Sequence, residues 1–168
     1  MRELLVKRNI IFFILGAAVV IVLDQITKNA ISSRFLMHES YNVIHGFFNL
    51  VYVMNPGAAF GFLASASATF RYIFFIGVTL IAIFLIIYYL VKSQHGSIVT
   101  VLSLTLIFAG AVGNLIDRIR FGAVVDFLDV YIGTWHWPAF NVADSAITVG
   151  AILMIWEMIT SNKKRNIS

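Results

Sequence analysis

Two stretches of the chain run for the length of a bilayer without a single charge. Tyr72–Val91 and Ser97–Ile116 each hold 20 consecutive residues free of Asp, Glu, Lys and Arg. As helix, such a run is about 30 Å long, the thickness of a hydrocarbon core. Ile10–Leu23 is shorter, at 14 residues. It reaches spanning length only if its helix continues through Asp24 toward Lys28, which would set those two charges in the membrane interface. Val142–Ile159 makes a fourth apolar segment, with Asp144 and Glu157 near its two ends. The pattern predicts a mainly α membrane protein with four transmembrane helices, over approximately residues 9–27, 70–91, 97–116 and 142–160, in a single domain covering 1–168.

The polar intervals between these runs are unequal. Lys92–Gly96, KSQHG, is a short turn, whereas residues 28–69 and 117–141 are long connections of the kind that carry function. Within the first, Tyr41–Met54 (YNVIHGFFNLVYVM) is rich in aromatic and β-branched residues and reads as extended chain, ending at the turn signal Asn55-Pro56-Gly57. Gly57 and Gly61 form a G-x-x-x-G outside any apolar run, which points to close backbone approach rather than helix dimerisation. Within the second, Gly122–Ile132 (GAVVDFLDVYI) reads as a short strand. Asp126 and Asp129, three apart, then fall on opposite faces.

Composition narrows the classes further. With 60% of residues hydrophobic and 12% charged, the chain lies far from a soluble balance. It has no cysteine, which rules out disulfides, thiolate nucleophiles and Cys-ligated metals. An N-terminal signal peptide is a rival for the first span, since Arg2, Lys7 and Arg8 precede an apolar run of suitable length. Leu23-Asp24-Gln25, however, offers no small-x-small cleavage pattern, so an uncleaved span is expected. Four spans put both termini on one side, together with Arg2, Lys7, Arg8, Lys92, Lys163, Lys164 and Arg165 against Glu3 and Glu157. The other side holds Lys28, Arg34, Arg71, Arg118 and Arg120 against six acids. The net of +5 against −1, which makes up the chain's +4, places both termini in the cytoplasm.

The polar residues left at the other face each have a plain structural reading to set beside a chemical one. Asp144 stands at the third position of a helix capped by Asn141, where a carboxylate satisfies free N–H groups and complements the dipole. Asp24 and Lys28, four apart, read as an interfacial ion pair. Asp117 reads as the structural partner of Arg118, and Arg120 as a snorkelling side chain. Asn114 lies inside the third span, where an amide needs a partner and marks a site. Ala109 and Gly113 give that helix a small-residue face. Tyr131, Trp135 and Trp137 suggest an aromatic belt. The four histidines show no ligand spacing, so no metal site is expected. Ser145 lacks the surroundings of a hydrolase nucleophile.

Three chemistries remain open for the acids. Asp126 and Asp144, at similar depth, suit a carboxylate pair in which one acid keeps a proton and the other activates water. Intramembrane acids also mark ion- or proton-coupled transporters, although no broken-helix repeat is visible here. A metal-assisted hydrolase could use Asp24, Asp126 and Asp144 on oxygen ligands, but their spacing lends it no support.

DQITK (Asp24–Lys28), NPGAAFGF (Asn55–Phe62), GAVGNLIDRIRFGAVVDFLD (Gly110–Asp129) and WPAFNVADSAI (Trp137–Ile147) together resemble the lipoprotein signal peptidases, the signal peptidase II family of bacterial membrane aspartyl peptidases. The blocks occur in the family's order over nearly the whole chain. The resemblance implies a membrane endopeptidase, without cofactor, that removes the signal peptide of diacylglyceryl-modified prolipoproteins by cutting before the lipidated cysteine. It implies Asp126 and Asp144 as the catalytic pair. Asn55, Gly57, Gly110, Asn114, Arg118 and Asn141 become residues lining the site or binding substrate, with Asp24 and Lys28 as a supporting pair. It further implies four transmembrane helices with a small outer β-cradle and a short interfacial helix. The expected setting is the bacterial inner membrane, as a monomer among membrane lipids, with the site at the outer face and no nucleic-acid partner.

Overall fold

The structure is a computed structural model that describes residues 2–57, 63, 66–92 and 97–165, with side chains described from residue 6 to residue 161. Four long helices, α1 (Arg2–Ser32), α2 (Ala68–Lys92), α3 (Ile98–Phe121) and α4 (Val142–Arg165), alternate with four strands, β1 (Ser40–Ile44), β2 (Phe48–Asn55), β3 (Val124–Ile132) and β4 (Trp135–His136). All four helices are long and apolar enough to cross a membrane. Their outward faces carry exposed Ile11, Leu15, Ile73, Phe84, Ile152 and Ile159, which a lipid solvent accommodates. Residues 93–96 of the KSQHG turn and Gly61 of the G-x-x-x-G lie outside the described residues. No interfacial helix is present among the described residues of the first long loop, several of which (58–62, 64 and 65) fall outside the description.

Helix α3 is the hub. Half of its spanning window is buried, against 6% for α2, and it packs on α1, α2 and α4. Lipid tails are as apolar as Leu, so helices in a bilayer gain little from hiding apolar surface and associate by close packing and hydrogen bonds. The residues of α3 supply that closeness. A Cβ at Gly110 would collide with the Ala143 carbonyl oxygen of α4, and one at Gly113 would lie 2.7 Å from Asp24 Oδ2 of α1. At the opposite end, Phe13, Ile86, Val101 and Leu104 form an apolar cluster, with Phe13 and Phe108 tilted at 5.0 Å. Ser97 caps α3 by accepting from Thr100 N–H at 3.2 Å. Gly122 ends it in the left-handed conformation (φ 73°) that a glycine adopts without strain. Gly122, read from sequence as part of the strand, is therefore the helix terminator, and β3 begins at Val124.

Helix α1 does not stop at its charges. It runs past Asp24 and Lys28 to Ser32, and both side chains are buried in the bundle, at 0% and 2% exposure. The reason is a partner on another helix: Lys28 Nζ meets Asp24 Oδ2 at 2.8 Å and Asp117 Oδ2 of α3 at 2.9 Å. Asp117 is thus not spent on its neighbour Arg118.

The two long loops build one antiparallel sheet in the order β1-β2-β3-β4. Gly46 (φ 78°) makes the turn between β1 and β2. In the β2–β3 pair, Asn49 faces Asp129 and Val53 faces Asp126, with a bulge in β2 between Leu50 and Val53. Asp129 is buried: it accepts from Asn49 Nδ2 at 2.9 Å and meets His136 Nδ1 at 2.8 Å. Tyr131 is drawn into the same group. It stacks on His136 at 4.9 Å and accepts from Gly46 N–H, while exposed Trp135 and Trp137 stand edge to face beyond it.

Candidate active site

Asp126 projects from β3 and Asp144 from the first turn of α4, and one asparagine between them touches both. Asn141, fully buried, donates through Nδ2 to Asp126 Oδ1 at 2.7 Å and accepts at Oδ1 from Asp144 N–H at 2.8 Å. Asp144 Oδ2 in turn accepts from Asn141 N–H at 3.3 Å. This reciprocal exchange is a capping box, with Asn at N-cap and Asp at N3. The capping reading of Asp144 and its place beside Asp126 are therefore one arrangement. Ser145 Oγ donates to the Asn141 carbonyl at 2.9 Å and belongs to the same helix start.

The remaining oxygens of the pair are also held by amides. Asn55 Nδ2 donates to Asp126 Oδ2 at 2.9 Å, and Asn114 Nδ2 to Asp144 Oδ1 at 2.7 Å. Neither acid forms an ion pair among the described residues. Burial first, then the negative charge of Asp144, push Asp126 up from 3.8 to about 7, against the hydrogen bonds of Asn55 and Asn141, which favour its charged form. Asp126 is almost inaccessible at 2% exposure, whereas Asp144 is only half-buried and forms the open side of the pair.

Behind the pair lies the ionic cluster of α1 and α3. Lys28 Nζ adds a third acceptor, Asn114 Oδ1 at 3.0 Å, so the ammonium's three protons match three oxygens and fix which end of the Asn114 amide faces Asp144. Asp24 Oδ1 accepts from Ala143 N–H at 2.9 Å, and Gln25 Nε2 donates to Asp24, Asp117 and the Gly113 carbonyl. Arg118 leaves this cluster. Its Nη2 donates to the Gly57 carbonyl at 3.3 Å, and its guanidinium lies 5.1 Å over the Phe75 ring. Gly57, buried, is held in turn by Asn55 Oδ1, which accepts its N–H at 3.0 Å and closes the Asn-Pro-Gly turn.

All ten residues singled out from the sequence converge on this region, in different capacities. Asn55, Asn114 and Asn141 touch the acids directly. Gly57 and Arg118 pair beside them, Asp24 and Lys28 stand behind, and Gly110 admits the Ala143 backbone. Sequence reasoning missed Gln25 and the cross-helix role of Asp117. The signal for Asp117 was its spacing of three from Asn114, which puts both on one face of α3. Among the described residues, no three His, Asp or Glu side chains gather as metal ligands would, and Asp24 Oδ2 is paired with Lys28.

Known proteins share this architecture. The family described as Signal peptidase (SPase) II matches residues 16–160. The lipoprotein signal peptidase of Syntrophus aciditrophicus (strain SB) is 53% identical over 95% of this chain and 99% of its own length. That of Geobacter metallireducens is 46% identical over 95% and 98%. A bacterial membrane enzyme solved by the in meso method at 2.3 Å superposes with a TM-score of 0.82 at 36% identity, covering 90% of both chains. A second such structure, at 1.9 Å, gives 0.78 at 35% identity, covering 87% of this chain and 91% of that one. These similarities lend no support to the transporter reading of the acids. With a family match over residues 16–160 and relatives of this identity and coverage, the chain belongs to the signal peptidase II family.

Proposed function

We propose that Asp126 and Asp144 are the catalytic pair of an aspartic endopeptidase. Its substrates are diacylglyceryl-modified prolipoproteins, cut before the lipidated cysteine. One observation carries the reading: two acids from separate elements share Asn141 and are held by amides alone. Such a pair can retain a single proton near neutral pH, as the rise of Asp126 to about 7 requires.

One carboxylate takes a proton from water as the water oxygen adds to the scissile carbonyl carbon. The other gives its proton to the amide nitrogen as the C–N bond breaks, releasing the signal peptide's carboxylate and the amine of the lipidated cysteine. The dyad titrates as a unit, so the two roles are not divided between the residues. Asn114 has both ends of its amide engaged and therefore orients Asp144 rather than the substrate. Arg118, with several guanidinium N–H groups beyond its bond to Gly57, is the better placed to stabilise negative charge on the tetrahedral intermediate. The distribution of basic residues supports cytoplasmic termini and with them a site at the outer face; residence in the bacterial inner membrane, as a monomer, belongs to the same proposal.

The test is cleavage of a lipid-modified prolipoprotein by Asp126→Asn and Asp144→Asn, each reconstituted separately. Each is expected to lose on the order of 1,000-fold or more in kcat. Substantial cleavage by either membrane-inserted variant would overturn the pair. Wild-type activity should survive a chelator; its loss there would favour a metal-assisted reaction.

A further inference from the structure

The ionic cluster behind the acids grips the backbone at two revealing points. Asp24 Oδ1 accepts the N–H of Ala143, the residue immediately before Asp144. Asp117 Oδ2 accepts the N–H of Val125 at 3.1 Å, the residue immediately before Asp126. The two gripping carboxylates are joined to each other twice. Lys28 Nζ lies 2.8 Å from Asp24 and 2.9 Å from Asp117, and Gln25 Nε2 donates to the same two side chains at 3.2 and 3.0 Å. We infer that Asp117, tied through Lys28 and Gln25 to Asp24, is a positioning residue that fixes the separation of Asp126 and Asp144. The inference rests on the reading of those two acids as the catalytic pair.

The connectivity favours this role over a general stabilising one. Asp126 lies on strand β3 and Asp144 on helix α4, each near the start of its element, and the first N–H groups of α4, that of Ala143 among them, have no intrahelical partner. A cluster serving only to join α1 to α3 would end its hydrogen bonds on those helices. This one reaches past them to residues 125 and 143, one bond short of each acid. Gly113 is part of the same device, because a Cβ there would strike Asp24 Oδ2. Gln25 and Asp117 are side chains that touch neither acid, so their effect must pass through the backbone.

The decisive experiment separates kcat from KM for Asp117→Ala, assayed as folded, membrane-reconstituted protein on a lipid-modified prolipoprotein. A misplacement of about 1 Å at a reacting group costs roughly 100-fold. The expected result is therefore a ~100-fold fall in kcat with KM unchanged. Asp117→Asn, which keeps an oxygen for the Val125 N–H, should lose less. Because the two carboxylates act as one brace, Asp24→Ala combined with Asp117→Ala should be no worse than the worse single variant. A folded Asp117→Ala enzyme with kcat within about twofold of wild type, or losses that multiply in the double variant, would overturn the inference. If Asp117→Ala does not fold, Gln25→Leu removes one of the two ties and leaves both ion pairs. A ~10-fold loss of kcat at constant KM is then expected, and an unchanged kcat overturns the inference. Asp126→Asn, run alongside, keeps the two levels apart. An active Asp126→Asn refutes the catalytic pair itself, whereas an inactive one beside an undiminished Asp117→Ala refutes only the brace.

Discussion

Two pairs of carboxylates stand back to back in this protein, and they are furnished in opposite ways. Asp24 and Asp117 share an ammonium, Lys28, at 2.8 and 2.9 Å. Asp126 and Asp144 share an amide, Asn141, and draw their other hydrogen bonds from Asn55 and Asn114. A cation between two acids makes a rigid, charge-assisted joint. Neutral amides fix the position of an acid and leave its proton available, because they stabilise the charged form far less than a full positive charge does. Scaffold and chemistry thus use the same side chains, and the donor between them decides which they become.

Removing the cation should break the scaffold pair first. Lys28→Met leaves Asp24 and Asp117 facing each other in a buried site, and losing one partner of such a group costs about 3–5 kcal/mol. The expected result is a large drop in Tm in detergent. Asp24→Asn and Asp117→Asn added to Lys28→Met should recover much of it, because no uncompensated charge then remains buried.

The amide-held pair should respond to pH instead. Folding raises Asp126 from 3.8 to about 7, so its neutral form is the one the native state favours. The stability it contributes is fully present below pH 3.8 and is lost as pH rises through about 7. Activity that needs one proton on the pair falls over that same upper limb. Asn55 donates to Asp126 and favours its charged form, so Asn55→Ala should move the alkaline limb of the kcat profile to higher pH. A limb that stays in place or moves down would show that this bond does not tune the pair.

The smallest effect is expected on the other face of the sheet. Asp129 is buried and bonded to Asn49 and His136, yet it points away from the site. Asp129→Asn should leave kcat within about twofold while lowering Tm modestly, since a single lost hydrogen bond to a charged group is worth roughly 1.5–3 kcal/mol. A kcat loss as large as that of Asp126→Asn would dissolve the distinction between the two faces.

Much of this was legible in the chain. The uncharged runs Tyr72–Val91 and Ser97–Ile116 mark α2 and α3, and Asn141 with Asp144 announces the start of α4. Asp126 and Asp144 stood out as two acids at similar depth beside an apolar chain. The end of α1 was not legible, because Asp24 and Lys28 resemble interface charges until Asp117 joins them. Gln25 and Asp117, which share a hydrogen bond, are separated by 92 residues, and pairing at that distance leaves no local pattern. For the same reason Arg118 beside Asp117 suggested a pair that folding does not make. Local signals such as caps, turns and periodicity show in the sequence. Cross-helix electrostatics arise only once the helices meet.

The bulge in β2 solves a counting problem. Side chains along a strand alternate between faces, so Asp126 and Asp129, an odd number of residues apart, look opposite ways. Their amide partners Asn55 and Asn49 are an even number apart, and an unbroken strand would turn both to one side. The extra residue between Leu50 and Val53 reverses the alternation partway, so one strand serves an acid on each face. Deleting a single residue there would leave both acids and both asparagines in the chain, yet one of the two acids would lose its asparagine.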